Sequence, residues 1–239
     1  MQKGDTYTIV FAAVVCLICS LLLSGTSVLL KKRQDAAVEL DRKTNVLKAF
    51  GVAVQDAAGN KISEGEVGRL FSEHISAIQI DAASGKPSDS ADARNPDLLP
   101  LYLWKDNGEV TKYAFPISGK GLWSTIYGYL ALDKDLSTIA GITFYRHGET
   151  PGLGGEVEKD WFQDQFKGKK VFEKGASQRV LVVKGKVLDK FPEGSDHAVD
   201  GISGATLTGN GVTRFLNDDL AKYEIYFKGI RKGQDNHGG

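Results

Sequence analysis

Hydrophobic and polar positions divide the chain into three stretches with different periodicities. From Thr6 to Leu30 run 25 residues without a single charge. A helix rises 1.5 Å per residue, so about 20 apolar residues cross a hydrocarbon layer of roughly 30 Å. A cleaved secretory signal has a shorter apolar core of about 7–15 residues and a small-x-small cleavage site. This run is longer, and Lys31, Lys32 and Arg33 stop it. The pattern predicts a retained single-span anchor in segment 1–33, with the span at about 7–30. Residues 34–50 place Ala37, Leu40, Val46, Leu47 and Phe50 at helical spacing, which predicts an extension of the anchor helix or a stalk. Residues 64–80 repeat that spacing less clearly through Val67, Leu70, Phe71, Ile75 and Ile78, and the small polar stretch 81–97 reads as an irregular surface loop.

The period then changes to two. LYLWKD and EVTKYAF flank Asn107-Gly108, a strong hairpin signal. GYLALD, TIAGITFYRH and VLVVKG add three strand-like runs, and residues 155–167 look helical. Residues 209–228 carry Val212, Phe215, Leu216, Leu220, Tyr223 and Phe227 on one side and predict a closing helix. The fold class is α+β: one N-terminal transmembrane helix followed by a single mixed domain over 34–239.

Composition narrows the function. Lys plus Arg and Asp plus Glu both number 30, so no basic surplus marks the chain for nucleic acid. Cys16 and Cys19 both lie in the span, which leaves the rest without thiolate ligands for zinc or an iron–sulfur cluster. His74, His147, His197 and His237 show no ligand spacing, so no metal site is expected. Flanking charge, Lys31, Lys32 and Arg33 against Lys3, favours a cytoplasmic C-terminal domain, but long domains translocate despite such charges.

Three glycine-rich segments remain: SGKGLWS at 118–124, HGETPGLGGE at 147–156 and DGISGATLTGNG at 200–211. Glycine admits a ligand close to the backbone. Gly152, Gly154 and Gly155 imitate a dinucleotide-binding turn, but Val157 stands where the third glycine belongs, and the segment lies deep in the domain. A plain proline-glycine turn before a helix is the simpler account. Ser203, Gly204, Ala205 and Thr206 precede the closing helix, where free N–H groups and the helix dipole attract phosphate. The hydroxyls there either cap the helix or serve a ligand, and the residues alone leave both open.

The string Asp200-Gly201-Ile202-Ser203-Gly204-Ala205-Thr206 resembles the flavinylation motif of FMN-binding domains whose threonine a flavin transferase modifies, and HGETPGLG and GKGLW resemble two further segments of those domains. With the anchor and LDRKTNVLKAFG, the whole chain resembles the C-subunit family of bacterial sodium-translocating NADH:quinone reductases. The related G-subunit family of the Rnf complex shares the motifs but lacks much of the region 50–115, and ranks second.

The resemblance implies FMN held covalently on Thr206, with Ser203, Gly204 and Ala205 at its phosphate. Glu149, Thr150, Leu153 and Gly154 would lie against the isoalloxazine ring, with Leu153 covering a face. Lys120 would either neutralise phosphate or be solvated, Trp123 would either stack near the flavin or join the core, and Asp200 would shape its loop or be read by the transferase. The resemblance further implies an electron relay from NADH towards quinone and no catalysis by this chain alone. Its partners would be the five other subunits, the membrane and the flavin transferase. It also implies an inner-membrane location with a periplasmic domain, against the charge count.

Overall fold

The computed structural model describes residues 3–55, 59–88, 95–173, 176–177 and 179–235. The chain forms two compact units, residues 1–42 and 43–239. Within the first, helix α1 (Lys3–Ala49) begins, and its apolar stretch is exposed, long enough and apolar enough to cross a membrane. The same helix continues without interruption into the second unit, in accord with the helical spacing over 34–50.

The second unit is built on a six-stranded antiparallel sheet. After helix α2 (Glu64–His74) come β1 (Ile75–Asp81), β2 (Pro87–Ser88), β3 (Leu98–Asp106), β4 (Glu109–Lys120), β5 (Thr125–Asp133) and β6 (Ile139–Arg146), in the spatial order β2-β1-β3-β4-β5-β6. Ser63 caps α2, its Oγ accepting the Glu66 N–H at 3.2 Å. The helical pattern expected over 64–80 therefore holds only to His74. From Ile75 the backbone is extended and pairs with β3 along its whole length. Alternation explains the change: Ile75 packs on one face of the sheet, while Ile78 and Ile80 pack on the other.

The segment 81–97 contains the two-residue strand β2, and part of it, residues 89–94, lies outside the described residues. The 155–167 helix is broken into a 3-10 turn (Gly154–Glu158), a short α3 (Asp160–Gln163) and a second 3-10 turn (Asp164–Phe166), because Lys159 is extended. The pair β7 (Phe172–Glu173) and β8 (Ala176–Ser177) follows. VLVVKG supplies only β9 (Leu181–Val182), which pairs in parallel with β10 (Ala198–Val199) across α4 (Val187–Lys190). Helix α5 (Thr206–Asp235) starts three residues earlier and runs longer than the pattern predicts.

The sheet is covered on both faces. Phe115, Leu130, Ile142 and Phe144 meet Val212, Phe215, Leu216, Leu220, Tyr223 and Phe227 of α5 on one side. On the other, Tyr102, Ala114, Tyr129 and Ala131 meet Val46, Ala49 and Phe50. Successive residues Ala114 and Phe115, or Tyr129 and Leu130, thus serve opposite cores. Lys112 Nζ donates to the Phe50 carbonyl at 2.9 Å, placing a cation at the end of α1 where the dipole favours one.

Candidate functional site

The three glycine-rich segments come together at the start of α5. Gly204 has φ +72°, a conformation glycine adopts without strain, and a Cβ there would stand 2.8 Å from Leu153 Cδ2. That close approach seats the 147–154 segment on the 200–206 segment. Thr206 opens the helix and is exposed, as are Ser203 and Gly204, while Ala205 is buried beneath them. The N–H groups of the first helical turn have no carbonyl of a preceding turn to meet. An exposed hydroxyl thus stands among free donors, at the positive end of a 30-residue helix.

Glu149 occupies the middle of the assembly, and its side chain points inward. It is 5 % exposed, and its carboxylate accepts from the backbone N–H groups of Leu122 at 3.2 Å, Trp123 at 2.9 Å and Ser124 at 3.0 Å. Thr208 Oγ1, itself buried, donates to it at 2.7 Å. Burial alone would raise its pKa; the N–H groups of Ser124, Trp123 and Leu122 and the Thr208 hydroxyl outweigh that and hold the carboxyl below its usual range. Two glycines make room. A Cβ at Gly121 would lie 2.7 Å from Oε1, and one at Gly154 would lie 2.8 Å from Oε2 and 2.6 Å from Thr208 Oγ1.

Trp123 is 67 % exposed, so it is not a core residue, and Leu122, Leu153 and Leu207 are exposed large apolar side chains with it. Lys120 is exposed and its Nζ donates to the Trp123 carbonyl at 2.8 Å, closing its own turn. Thr150 is exposed, and its carbonyl accepts the Leu153 and Gly155 N–H groups in the TPGLG turn. Asp200 faces the loop before α4: the Lys186 ammonium at 2.9 Å, with the Val187 N–H at 2.7 Å, holds its carboxyl below the usual range. It therefore shapes that loop.

The sequence offers Thr208 only as a helix-start hydroxyl and gives Ser124 no role, because the carboxylate they bond lies 59 and 25 positions away in the chain. The only local hint was an acidic residue set among glycine-rich segments that offer free N–H groups. Among the described residues no group of three or more His, Cys, Asp or Glu could hold a metal ion. The strand before Gly152 belongs to an antiparallel sheet, which removes the βαβ unit that a dinucleotide turn needs. Chemically, the arrangement offers an accessible hydroxyl and free donors for a phosphate, beside an apolar rim for a flat ring.

A model of the FMN-binding domain matches residues 121–221, which include the second and third glycine-rich segments and the end of the first. The chain is 35% identical to the C subunit of the Na(+)-translocating NADH-quinone reductase of Pseudomonas aeruginosa, with 98% of each covered. It is 38% identical to that of Vibrio alginolyticus, with 82% of each covered. The crystal structure of the same reductase's C subunit from Parabacteroides distasonis superposes with a TM-score of 0.70 at 32% identity, covering 83% of this chain and 96% of that one. NqrC of Shewanella oneidensis gives 0.70 at 29% identity, covering 83% and 99%.

Proposed function

The chain belongs to the C-subunit family of Na(+)-translocating NADH-quinone reductases, and from that premise we propose that it carries FMN in phosphoester linkage on Thr206 and relays electrons from NADH towards quinone, coupled to Na+ export. As one subunit of that oxidoreductase complex with an FMN-binding domain, it serves electron transfer. The observation that carries the finer reading is the exposed Thr206 hydroxyl at the first position of α5, beside a positive-φ glycine and the Leu153 side chain.

Attachment requires a flavin transferase. The Thr206 hydroxyl would be the acceptor, its oxygen replacing AMP on the FMN phosphorus of FAD and its proton going to a base of the transferase. The residues fit the group so attached. The N–H groups at the α5 start would hold the phosphate, and Gly204 and Ala205 would keep bulky side chains away from it. Leu153, Leu122 and Trp123 offer apolar surface for the ring. When bound, the flavin supplies the electron-accepting and electron-donating chemistry that no side chain here has.

A carrier is favoured over a free-standing flavoenzyme because Glu149, the buried carboxylate among the three segments, has both oxygens bonded and turned inward. It offers no free acid or base for a substrate. The proposal includes a periplasmic domain, where transferase and electron path would meet Thr206, and an inner-membrane anchor in company with five other subunits. Adding NADH to the assembled complex should bleach the flavin absorbance of this chain. The isolated chain should not respond. Direct reduction of the isolated chain by NADH would overturn the relay.

A further inference from the structure

The β4–β5 hairpin has a tip that its own residues do not explain. Lys120 pairs with Thr125, the Gly121 N–H donates to the Ser124 carbonyl at 2.9 Å, and Leu122 and Trp123 form the turn. Two-residue tips commonly use Asn or Gly at positive φ, because such turns match the twist of the strands. The β3–β4 hairpin of the same sheet does so, with Asn107 at φ 53° and Gly108 at φ 86°. Leu122 and Trp123 have no positive φ, and both are large and exposed. Three successive N–H groups, those of residues 122–124, instead point at one anion, the Glu149 carboxylate. Such a concave run of N–H groups is an anion-binding nest, and here the protein fills it with its own side chain.

The same carboxylate reaches the site's helix. Thr208 Oγ1 donates to Oε2 from the turn that Thr206 begins, and the Gly148 N–H donates to Ser124 Oγ at 2.6 Å, fastening the 147–149 segment to the hairpin as well. Every partner of the carboxylate among the described residues is a neutral dipole. No ammonium or guanidinium is bonded to the group; the nearest cation of the tip, Lys120, is spent on the Trp123 carbonyl.

We propose that Glu149 is a positioning residue: it locks the exposed Leu122–Trp123 tip onto the start of α5 and so fixes where that apolar tip and a carboxylate bonded only by neutral groups stand relative to Thr206. The placement of the tip is independent of any ligand; its effect on the flavin rests on the attachment at Thr206 proposed above. A fixed anion near a flavin opposes the arrival of an electron, so Glu149 holds the midpoint potential down.

The test uses the full chain in detergent, with and without flavin loading. In the unloaded protein, Glu149→Gln should speed amide hydrogen exchange at Leu122, Trp123 and Ser124 by about tenfold or more, the effect of replacing a charged acceptor with a neutral one. Glu149→Asp is too short to reach all three donors and should speed exchange while keeping the charge. In the loaded protein, Glu149→Gln should raise the flavin midpoint potential, and Glu149→Asp should raise it less. A merely structural residue would move the exchange without this charge-dependent order of potentials. Wild-type exchange rates in both variants would overturn the locking role. Equal potentials in wild type and Glu149→Gln would overturn the electrostatic one. If Glu149→Gln does not fold, Glu149→Asp and Thr208→Val decide, the latter freeing the tip from α5 with the charge kept. A wild-type chain that never takes flavin would refute the attachment, and the exchange arm would still decide the locking.

Discussion

Thr206 and Thr208 stand two positions apart in the first turn of α5 and face opposite surroundings. Thr206 is exposed, whereas Thr208 is 1 % exposed with its hydroxyl committed to Glu149. Thr206→Ala should therefore change stability by no more than about 0.5 kcal/mol, as an ordinary surface substitution does. Thr208→Ala strips a charged acceptor of a buried donor and should cost about 1–3 kcal/mol. Chemical denaturation of the two variants checks the contrast. Glu149 adds a pH signature. Its carboxyl is held below the usual range, so its contribution to stability is present above the ordinary carboxylate pKa and is lost as pH falls through the depressed value. Glu149→Gln should lower Tm at neutral pH and flatten the acid limb of a Tm-against-pH curve. An acid limb as steep as wild type would mean that Glu149 is not the titrating group. The glycines and hydroxyls of this site were legible in the sequence as glycine-rich segments, and DGISGAT pointed at Thr206. The inward turn of Glu149 was not legible, because its partners are backbone N–H groups, which carry no side-chain signature.

At the scale of elements, the hairpin at Asn107-Gly108 and the strands on either side follow from alternation and turn chemistry, and α5 follows from its apolar stripe. Strand β1 did not, since Ile75 and Ile78 also fit a helical spacing, and only pairing with β3 decides between the two periods. The broken 154–166 segment reads as one helix because Phe162 and Phe166 stand a helical turn apart, while in the fold Lys159 is extended between the turns. Besides its apolar packing, the docking of residues 46–50 on the sheet includes one close approach of backbone to backbone. A Cβ at Gly141 of β6 would lie 2.5 Å from the Ala49 carbonyl oxygen. Gly141→Ala should cost about 1–3 kcal/mol by overpacking and should loosen this contact. Calorimetry gives the loss, and faster proteolysis near Phe50 would locate it. Unchanged stability would show that the helix end shifts freely.

For the molecule as a whole, the break between the charge-free run and the basic cluster at Lys31 was plain in the sequence, and the helical continuation to Ala49 followed from the spacing over 34–50. That residues 46–50 belong to the core of the second unit was not plain, because a stalk and a core helix share one periodicity. The consequence can be measured. Residues 34–239 should be soluble and monomeric without the span, whereas residues 51–239 should aggregate, because Tyr102, Ala114 and Tyr129 would lose the cover of Val46, Ala49 and Phe50. Size-exclusion chromatography distinguishes the two, and a soluble 51–239 fragment would show that this cover is dispensable. The central claim, covalent FMN on Thr206, is tested most directly by mass spectrometry of the peptide bearing residues 200–211, taken from the full chain purified out of membranes that contain a flavin transferase. The predicted result is that peptide carrying the mass of FMN less one water, fragmentation placing it on Thr206, and no denaturant-resistant flavin in Thr206→Ala. An unmodified Thr206 peptide from a chain that stays yellow in denaturant would contradict it.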